Sequence, residues 1–244
     1  MSKSTLVSVA MTCYNQANYI EDAIKSVVDQ AYPYWEIVIV DDCSTDKSLK
    51  VINKCVDKYN IREKVNIITN KKNMGYGYSL GLAIKNSKGD LVSILDSDDA
   101  LANRKSLKWS VAVHNDHPEV ALTYSNYIIC NKRLKQKSKY KTKQINNFLK
   151  EGGRIGHLKT IKKSYYDMTS GINPELRQTV DKDLVLKIEE VGKLFYINKE
   201  LYYYRHHSDN LSRSLRTKDK KYQKLVKKMR KRIYEEAKRR RGIK

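Results

Sequence analysis

The chain has 244 residues, of which 40% are hydrophobic, and a formal net charge of +22 at pH 7. This length and composition exclude a disordered or fibrous protein and allow one large domain. The longest apolar runs, such as residues 37–40, are far shorter than the roughly 20 residues of a membrane span. The N-terminus leads into a strand pattern rather than a signal peptide, so we expect a cytoplasmic protein whose cysteines are reduced.

Strands and helices alternate through the first hundred residues. Hydrophobic periodicity predicts strands at 6–11, 35–40, 65–69 and 91–95, and helices at 20–28, at 45–59 and around 80–84. Strands that alternate with helices at this spacing require parallel crossover connections. The sequence therefore predicts an α/β layer of the nucleotide-binding type.

The rhythm changes beyond Asp99. The pattern predicts a helix at 106–115, a longer strand at 120–130, a cationic loop at 132–143, helices at 157–166 and 179–191, and two short strands within 193–204. At the C-terminus, apolar residues recur at helical spacing among Lys and Arg: Tyr222, Leu225, Val226, Met229, Ile233 and Ala237. This stripe predicts a basic amphipathic helix.

The positive charge is concentrated in two segments. Residues 213–244 contain sixteen Lys or Arg residues and three acidic ones, and residues 132–143 contain seven cations and no acid. The rest of the chain is nearly neutral, so a uniform lysine bias explains only part of the excess. Concentrated cations indicate an anionic target or an anionic neighbour.

An apolar strand pattern that starts at Gly89 ends in three carboxylates, Asp96, Asp98 and Asp99. Three acids within four residues repel one another unless a positive charge lies between them, and a divalent cation is the usual solution. Open α/β sheets also bind ligands beyond the carboxyl ends of their strands. The acidic turn therefore predicts a metal that holds a phosphorylated ligand, and a solvated turn is the alternative.

Three further polar clusters lie where that ligand needs them. Residues 14–16 follow the first strand, residues 41–46 follow the second, and residues 73–77 precede the third helix. An aromatic ring can stack on a base, a carboxylate can accept a hydrogen bond from a base, and glycine lets backbone approach a sugar or phosphate. Each cluster alone has a structural alternative, such as a helix cap or a turn. Their common place at strand ends favours a ligand.

With these motifs the chain resembles the family 2 glycosyltransferases. The blocks that carry the resemblance are residues 7–15, 37–46, 73–75, 95–99, 180–188 and 204–212. The resemblance is strongest to the sugar-transferring domains of bacterial chondroitin-type polymerases, which share the Val-Asp-x-Asp pattern of residues 180–183. It implies the GT-A fold, an α/β architecture with a Rossmann-like, mostly parallel mixed sheet flanked by helices. The implied parts are a nucleotide-sugar half at 1–100, an acceptor-binding and catalytic half at 101–212 and a basic helical tail at 213–244.

The resemblance also implies roles for individual residues. The implied donor-binding residues are Tyr14, Asn15, Asp41, Asp42, Asn73, Gly75, Asp96 and Arg205. Asp98 and His207 are the implied ligands of Mn2+ or Mg2+, with His206 as the alternative histidine. Asp181 aligns with the family's catalytic base, and its structural alternative is a first-turn acid that stabilises its helix.

The implied activity is inverting, metal-dependent transfer of a sugar from a nucleotide diphosphate donor, expected to be a UDP-sugar. The acceptor is a hydroxyl of a glycan or lipid-linked glycan, with one transfer per encounter. Two alternatives stay open, a transferase that acts on nucleic acid and an inactive nucleic-acid-binding protein. For the tail we rank contact with an anionic acceptor or the inner membrane surface first, contact with another subunit second and nucleic acid third. Packing of its apolar stripe against the catalytic domain is a further alternative.

Overall fold

The computed structural model describes residues 4–207, 210 and 220–243. Its strands are β1 Val7–Cys13, β2 Trp35–Asp41, β3 Val65–Thr69, β4 Leu91–Ile94, β5 Ala100–Leu101, β6 Val120–Cys130, β7 Gln136–Tyr140, β8 Lys159–Lys162 and β9 Lys193–Arg205. Its helices are α1 Ile20–Val28, α2 Ser48–Lys58, α3 Tyr76–Lys85, α4 Ser106–Asp116, α5 Phe148–Glu151, α6 Lys163–Asp167, α7 Val180–Ile188 and α8 Lys220–Arg240. All four cysteines are free thiols.

The N-terminal half forms a parallel sheet in the order β3-β2-β1-β4. Its strands are rich in Val and Ile because helices cover both faces, and the residues of β2 from Ile37 to Val40 have no exposed surface. The connections are the helices α1, α2 and α3, as parallel pairing requires. This part of the sequence prediction is confirmed.

The second half extends the same sheet in the order β4-β8-β6-β9-β5, with antiparallel pairs from β4 to β8, β8 to β6 and β9 to β5, while β6 and β9 are parallel. Because β8 is antiparallel to both β4 and β6, β6 runs in the same direction as β4. The strand β9 is parallel to β6 and therefore also runs in this direction. The carboxyl end of β9 therefore lies at the same edge of the sheet as the carboxyl end of β4. The predicted mixed α/β sheet is confirmed, and its parallel character is concentrated in the N-terminal half.

Three local predictions are wrong. Residues 132–143 were expected to be a loop, but they contain β7, which pairs with the end of β6. The side chains of β7 are exposed and polar, so the sequence shows no apolar alternation there. Main-chain hydrogen bonds to β6 hold the strand at the sheet edge. The helix expected at 157–166 is instead strand β8, inserted between β4 and β6, followed by the short helix α6. The two strands expected within 193–204 are one strand, β9, whose pairing with β6 shifts register near Asn126.

Two hydrophobic cores lie on the two faces of the sheet. One joins the sheet to α1, α2 and α4, and the other joins it to α3, α5, α7 and α8. In α8, Ile233 is 2% exposed and Ala237 is fully buried, whereas Leu225 is 53% exposed. The apolar stripe of the tail therefore packs on the domain through its C-terminal part. The predicted segment from 213 to 219, with the boundary at 212, lies outside the described residues.

Among residues 4–207, 210 and 220–243, no helix has both the length and the apolar character needed to cross a bilayer.

Candidate active site

The acidic turn after β4 meets the end of β9. The backbone N–H of Arg205 donates to Asp99 Oδ1 at 2.7 Å, and the guanidinium Nε of the same residue donates to the carbonyl of Asp98 at 2.5 Å. These bonds follow from the topology, because β4 and β9 run in the same direction and end at the same edge. The sheet thus joins the two halves of the predicted site.

Asp98 and His207 form a close pair at this junction. Asp98 Oδ2 lies 2.9 Å from His207 Nε2 and accepts a hydrogen bond from Asn210 Nδ2 at 3.0 Å. The His207 side chain is 2% exposed and that of Asp98 is 17% exposed, so the pair is partly shielded from water. The His206 ring instead stands edge-on against Tyr204, with ring centroids 5.3 Å apart. Of the two candidate histidines, His207 is the one that contacts Asp98.

This pair fits a divalent cation that is shared with a ligand. Two protein atoms bound to one ion at about 2.1 Å and roughly at right angles lie about 3 Å apart. The 2.9 Å between Asp98 and His207 is compatible with this, and it is also the length of a direct hydrogen bond between them. In the part of the chain that the structure describes, no group of three or more His, Cys, Asp or Glu side chains is arranged to hold a metal. Any cation at Asp98 and His207 would take its remaining ligands from substrate phosphates and water, as Mg2+ commonly does.

Asp96 faces a more enclosed environment. Its Oδ1 accepts a hydrogen bond from the Tyr76 hydroxyl at 3.0 Å, and its backbone N–H donates to the Tyr202 hydroxyl at 3.1 Å. Burial raises the pKa of Asp96 to about 6, and the charges of Asp98 and Asp181 add to this effect, while Lys159 opposes it. At pH 7 a carboxyl group with this pKa is still mainly ionised, so Asp96 acts there as a hydrogen-bond acceptor.

Lys159 was missed by the sequence analysis. It begins β8 directly opposite Ile94, the last residue of β4, and only 5% of its surface is exposed. Its positive charge is close enough to lower the pKa of Asp96. No usable signal in the sequence indicated Lys159, because the segment at 157–166 that contains it was predicted as a helix and not as strand β8.

Asp99 and Arg205 form the base on which the acidic turn rests. Burial raises the pKa of Asp99 well above its usual range, and the charges of Asp98 and Asp96 add to the effect. The Arg205 side chain is 1% exposed, and its terminal nitrogens donate to Asp22 Oδ2 at 2.8 Å and to the Lys132 carbonyl at 2.6 Å. Arg205 therefore positions Asp98 through the hydrogen bond to its carbonyl. The predicted contact of Arg205 with the donor stays a prediction.

Asp42 organises the predicted glycine turn. Its carboxylate accepts hydrogen bonds from Asn70 Nδ2 at 2.7 Å and from the backbone N–H groups of Met74 and Gly75, both at 2.8 Å. Gly75 has a φ of 90°, and a Cβ there would lie 3.1 Å from the Arg177 side chain. The turn is thus fixed beside the end of β2, with Asn73 Oδ1 accepting from Arg177 at 3.3 Å.

The loops after β1 and β2 are held together by Asn15. Its Oδ1 accepts a hydrogen bond from the backbone N–H of Thr45 at 2.8 Å, and its own N–H donates to Ser44 Oγ at 3.0 Å. Asn15 has a φ of 55°, a conformation that asparagine tolerates better than most residues. Its contacts in the structure are therefore structural, and its predicted contact with the donor stays a prediction.

Asp41 has an unsatisfied atom beside an exposed ring. Asp41 is 2% exposed, and its Oδ2 accepts from the Ser44 N–H at 3.2 Å, but its buried Oδ1 has no hydrogen-bond partner among the described residues. A buried acceptor without a partner is costly, so its presence indicates a place for a ligand's donor group. Tyr14, at the end of the neighbouring strand β1, is 45% exposed.

Asp181 lies in the first turn of α7 and is exposed. Its charge contributes to the raised pKa of Asp96 and of Tyr76, after the effects of burial and of nearer groups, so it belongs to the same electrostatic environment. Asp183, two residues later, is buried instead, and its carboxylate pairs with Lys187 Nζ at 2.7 Å. Of the two acids in this motif, Asp181 is thus open to solvent, whereas Asp183 forms a buried ion pair.

The comparison with protein families agrees with this geometry. The model of glycosyl transferase family 2 matches residues 8–169, which contain the loops after β1, β2 and β4. The chain belongs to glycosyl transferase family 2. Asp181, Arg205 and His207 lie beyond the matched residues. The placement of Arg205 and His207 rests on the contacts described above, and that of Asp181 on its electrostatic effect on Asp96 and Tyr76.

Several members are similar over much of the chain. Hyaluronan synthase of Pasteurella multocida is 30% identical over 225 residues, which are 87% of this chain and 22% of that protein. The poly(ribitol-phosphate) beta-N-acetylglucosaminyltransferase TarS of Staphylococcus aureus is 35% identical over 112 residues, 45% of this chain and 19% of TarS. The chain spans less than half the length of the curated relatives it matches first.

Solved structures share the fold. TarS in complex with UDP-GlcNAc matches 84% of this chain and 60% of that chain, with a TM-score of 0.70 and 24% identity. The mannosyltransferase PcManGT of Pyrobaculum calidifontis, in complex with GDP-Man and Mn2+, matches 83% of this chain and 57% of that chain, with a TM-score of 0.65 and 17% identity. The predicted GT-A fold is therefore confirmed, and the family to which the chain belongs is the predicted family of glycosyltransferases.

Proposed function

We propose that this glycosyltransferase is an inverting, metal-dependent enzyme that transfers a sugar from a UDP-sugar to a hydroxyl of a glycan acceptor, once per encounter. The observation that carries the proposal is the Asp98–His207 pair at the edge of the sheet, with the exposed Asp181 near enough for its charge to act on Asp96. One group can hold the departing diphosphate there, and the other can take up a proton.

The donor nucleotide would bind across the ends of β1 and β2. The exposed Tyr14 ring offers a surface on which a base can stack, and the unpaired Oδ1 of Asp41 offers an acceptor for the imide N–H of uracil. The Asp42-fixed turn at Asn73 and Gly75 brings backbone close to the ribose and phosphates. Asp96 would contact the ribose or the donor sugar. TarS, with the same fold, is known with UDP-GlcNAc.

Asp98 and His207 would hold Mn2+ or Mg2+, which supplies positive charge to stabilise the diphosphate as it leaves. PcManGT, a more distant structural neighbour, contains Mn2+. Lys159 would add a second positive charge from within the sheet, because its side chain is buried beside Asp96. Arg205 supports this arrangement by fixing the backbone of Asp98.

Asp181 would act as the general base. Its carboxylate accepts the proton of the acceptor hydroxyl while that oxygen forms a bond to the anomeric carbon, and the bond between this carbon and the diphosphate oxygen breaks. A single displacement inverts the anomeric centre. In this arrangement residues 1–100 would hold most of the donor, and residues 101–212 would supply the general base Asp181 and the metal ligand His207.

The acceptor would be a glycan or a lipid-linked glycan. The named relatives make hyaluronan or modify poly(ribitol phosphate), according to their names. A lipid-linked acceptor would place the enzyme at the cytoplasmic surface of the inner membrane. Neither the site nor the relatives favour the nucleic-acid alternatives, so the proposal does not extend to them.

The test is calorimetry of UDP binding with and without Mn2+, followed by a hydrolysis screen over nucleotide sugars. We expect UDP to bind in the presence of Mn2+ and one UDP-sugar to be hydrolysed faster than the others. Absence of UDP binding at saturating Mn2+ would refute the proposal.

A further inference from the structure

The helix α8 lies beside the amino end of α7, where Asp181 is found. Ile233 and Ala237 are buried against the domain, and α8 packs against α5 and α7. The Tyr234 ring is 6.3 Å from the ring of Phe148 in α5. The Tyr234 hydroxyl lies next to the glycine turn after α5, since a Cβ on Gly152 would be 3.9 Å from this hydroxyl. The tail helix is thus a neighbour of the predicted catalytic base.

Lys182 connects these elements. Its Nζ donates to the carbonyl of Gly153 at 2.9 Å and lies 5.6 Å from the centre of the Phe148 ring. Burial lowers the pKa of Lys182; Asp181 opposes this, and the charges of Arg230 and Arg154 add to the lowering. Charges from the glycine turn, from α7 and from α8 therefore act together on Lys182, the neighbour of Asp181.

Tyr234 gives an independent indication from the α8 side. Burial raises its pKa, Glu189 and Asp181 add to the effect, and Arg230 opposes it. Arg230 is one helical turn before Tyr234, so the two side chains lie on the same side of α8. The charges of Arg230 and Asp181 therefore both act on Tyr234.

The cations around Asp181 exceed the acids that face them. At the C-terminal end of the tail, Arg240 pairs with Glu190 at 2.7 Å and Arg241 pairs with Glu189 at 2.9 Å. Arg154, Lys182 and Arg230, in contrast, have no ion-pair partner within the described ranges. Arg154 donates to the Tyr127 hydroxyl at 3.0 Å and lies over the Tyr140 ring.

Two acids near Arg154, Lys182 and Arg230, namely Glu189 and Glu151, bind other partners. Glu189 also accepts hydrogen bonds from the backbone N–H groups of Phe148 and Leu149. Glu151 accepts from the backbone N–H groups of Asn146 and Asn147, both at 2.9 Å. Asp181, the neighbour of Lys182 in α7, is the remaining acid whose charge acts on both Lys182 and Tyr234, so positive charges outnumber negative ones in this region.

We propose that α8 forms a wall of the acceptor site, and that Arg154, Lys182 and Arg230 bind an anionic group of a glycan acceptor beside Asp181. The anionic group is a carboxylate or a phosphate, since either accepts charge-assisted hydrogen bonds from arginine and lysine. This inference rests on the proposed function, because it gives the acceptor the place from which Asp181 takes its proton. It assigns the tail helix to substrate recognition.

The arrangement of α8 argues for a glycan rather than a membrane as the partner. Ile233 and Ala237 use the apolar stripe within the protein core, so this part of the stripe does not face a lipid surface. Arg230, Lys228 and Lys231 are all exposed, but Arg230 is about 60° from Ile233 around the helix, whereas Lys228 and Lys231 are more than about 130° away. These two lysines serve as matched controls on the same helix.

The test measures binding of labelled oligosaccharides to the full chain by fluorescence anisotropy. The probes are an unsulfated chondroitin hexasaccharide, its carboxyl-reduced neutral counterpart and a short poly(ribitol phosphate). We expect an anionic probe to bind at least about tenfold more tightly than the neutral one. Preference for the first or the third probe distinguishes a carboxylate from a phosphate.

Arg230→Gln and Lys182→Gln should each weaken binding of the preferred probe by about fivefold to tenfold, whereas Lys228→Gln and Lys231→Gln should change it less than twofold. Arg230→Lys keeps the charge and should restore most of the affinity. Equal binding of charged and neutral probes would overturn the proposal, as would equal losses in the Arg230 and Lys228 variants.

Two parallel measurements separate the other outcomes. UDP binding with Mn2+ tests the proposed function separately. If the wild type does not bind UDP, the proposed function is wrong, whereas the oligosaccharide measurements alone decide whether the acceptor wall binds an anion. Binding to phosphatidylglycerol vesicles that depends on Lys228 and Lys231, with no binding of any oligosaccharide, would assign the tail to a membrane and overturn the proposal.

Discussion

His207 Nε2 lies 2.9 Å from the Asp98 carboxylate, although 109 positions separate the two residues in the chain. The sheet topology explains the contact, because β9 runs parallel to β4 and both strands end at one edge. Arg205, the last residue of β9, fixes the register by bonding to the backbone of Asp98. The acidic turn is therefore completed by a segment that follows it by a hundred residues.

Replacement of His207 tests this pairing. We expect His207→Ala to weaken Mn2+-dependent binding of UDP by about tenfold or more, because losing a ligand should cost at least as much as losing a supporting residue. Calorimetry at several Mn2+ concentrations measures the effect. His206→Ala is the matched control and should leave the affinity nearly unchanged, since the His206 ring contacts Tyr204 instead. Equal losses in the two variants would contradict the assignment.

Arg205 should matter for stability as well as for the site. Arg205→Met removes the hydrogen bonds to the carbonyls of Asp98 and Lys132 and leaves these groups without donors. We expect a loss of about 2 to 4 kcal/mol in the free energy of unfolding, measured by urea denaturation. Arg133→Met, at an exposed position on the neighbouring loop, should change it by less than about 0.5 kcal/mol. A small effect at Arg205 would show that it is not the support described here.

The two acids at the start of α7 should separate catalysis from stability. Asp181→Asn should reduce sugar transfer by about a hundredfold to ten-thousandfold, the range for loss of a general base, with UDP affinity and melting temperature retained. Asp183→Asn breaks a buried ion pair with Lys187 and should mainly lower the melting temperature. A transfer rate in Asp181→Asn close to that of the wild type would remove Asp181 from the proposed mechanism.

Sequence patterns predicted the strands of the N-terminal half well, because these strands are buried on both faces and carry continuous apolar runs. Asp41, Asp42 and Asp96 follow such strands directly. The acceptor half was harder, since β7 is a polar edge strand and β8 has only four residues between two partners. Lys159 could not be recognised without the pairing that buries it. Whether the stripe of α8 packs on the protein or on a partner also depends on tertiary contacts, which periodicity does not contain.

His114 should make the protein sensitive to mild acid. Burial lowers the pKa of His114 from 6.5 to about 4, and its ring nitrogens lie 3.2 Å from the carbonyls of Val120 and Thr160. The unfolded chain gains a proton near pH 6.5 and the folded chain only near pH 4, so stability falls as the pH decreases through this window.

Between pH 6.5 and 5 this single group should cost about 1.5 kcal/mol, measured as the shift of the urea midpoint multiplied by the m-value. The loss should be smaller in His114→Gln than in the wild type. His117→Gln changes a half-exposed histidine and should keep the full acid dependence of the wild type. If the two variants responded alike to pH, His114 would not be the group responsible.

The buried stripe of α8 should stabilise the domain. Ile233 is 2% exposed in the second core, so Ile233→Ala should lower the free energy of unfolding by about 2 to 5 kcal/mol. Leu225→Ala changes an apolar residue of the same helix that is 53% exposed, and we expect less than about 0.5 kcal/mol there. Thermal unfolding of both variants gives the comparison. If α8 were instead a separate arm that docks on a membrane, Ile233→Ala would leave the unfolding transition unchanged and reduce vesicle binding. Equal, small effects at Ile233 and Leu225 would therefore contradict the packing of the tail on the domain.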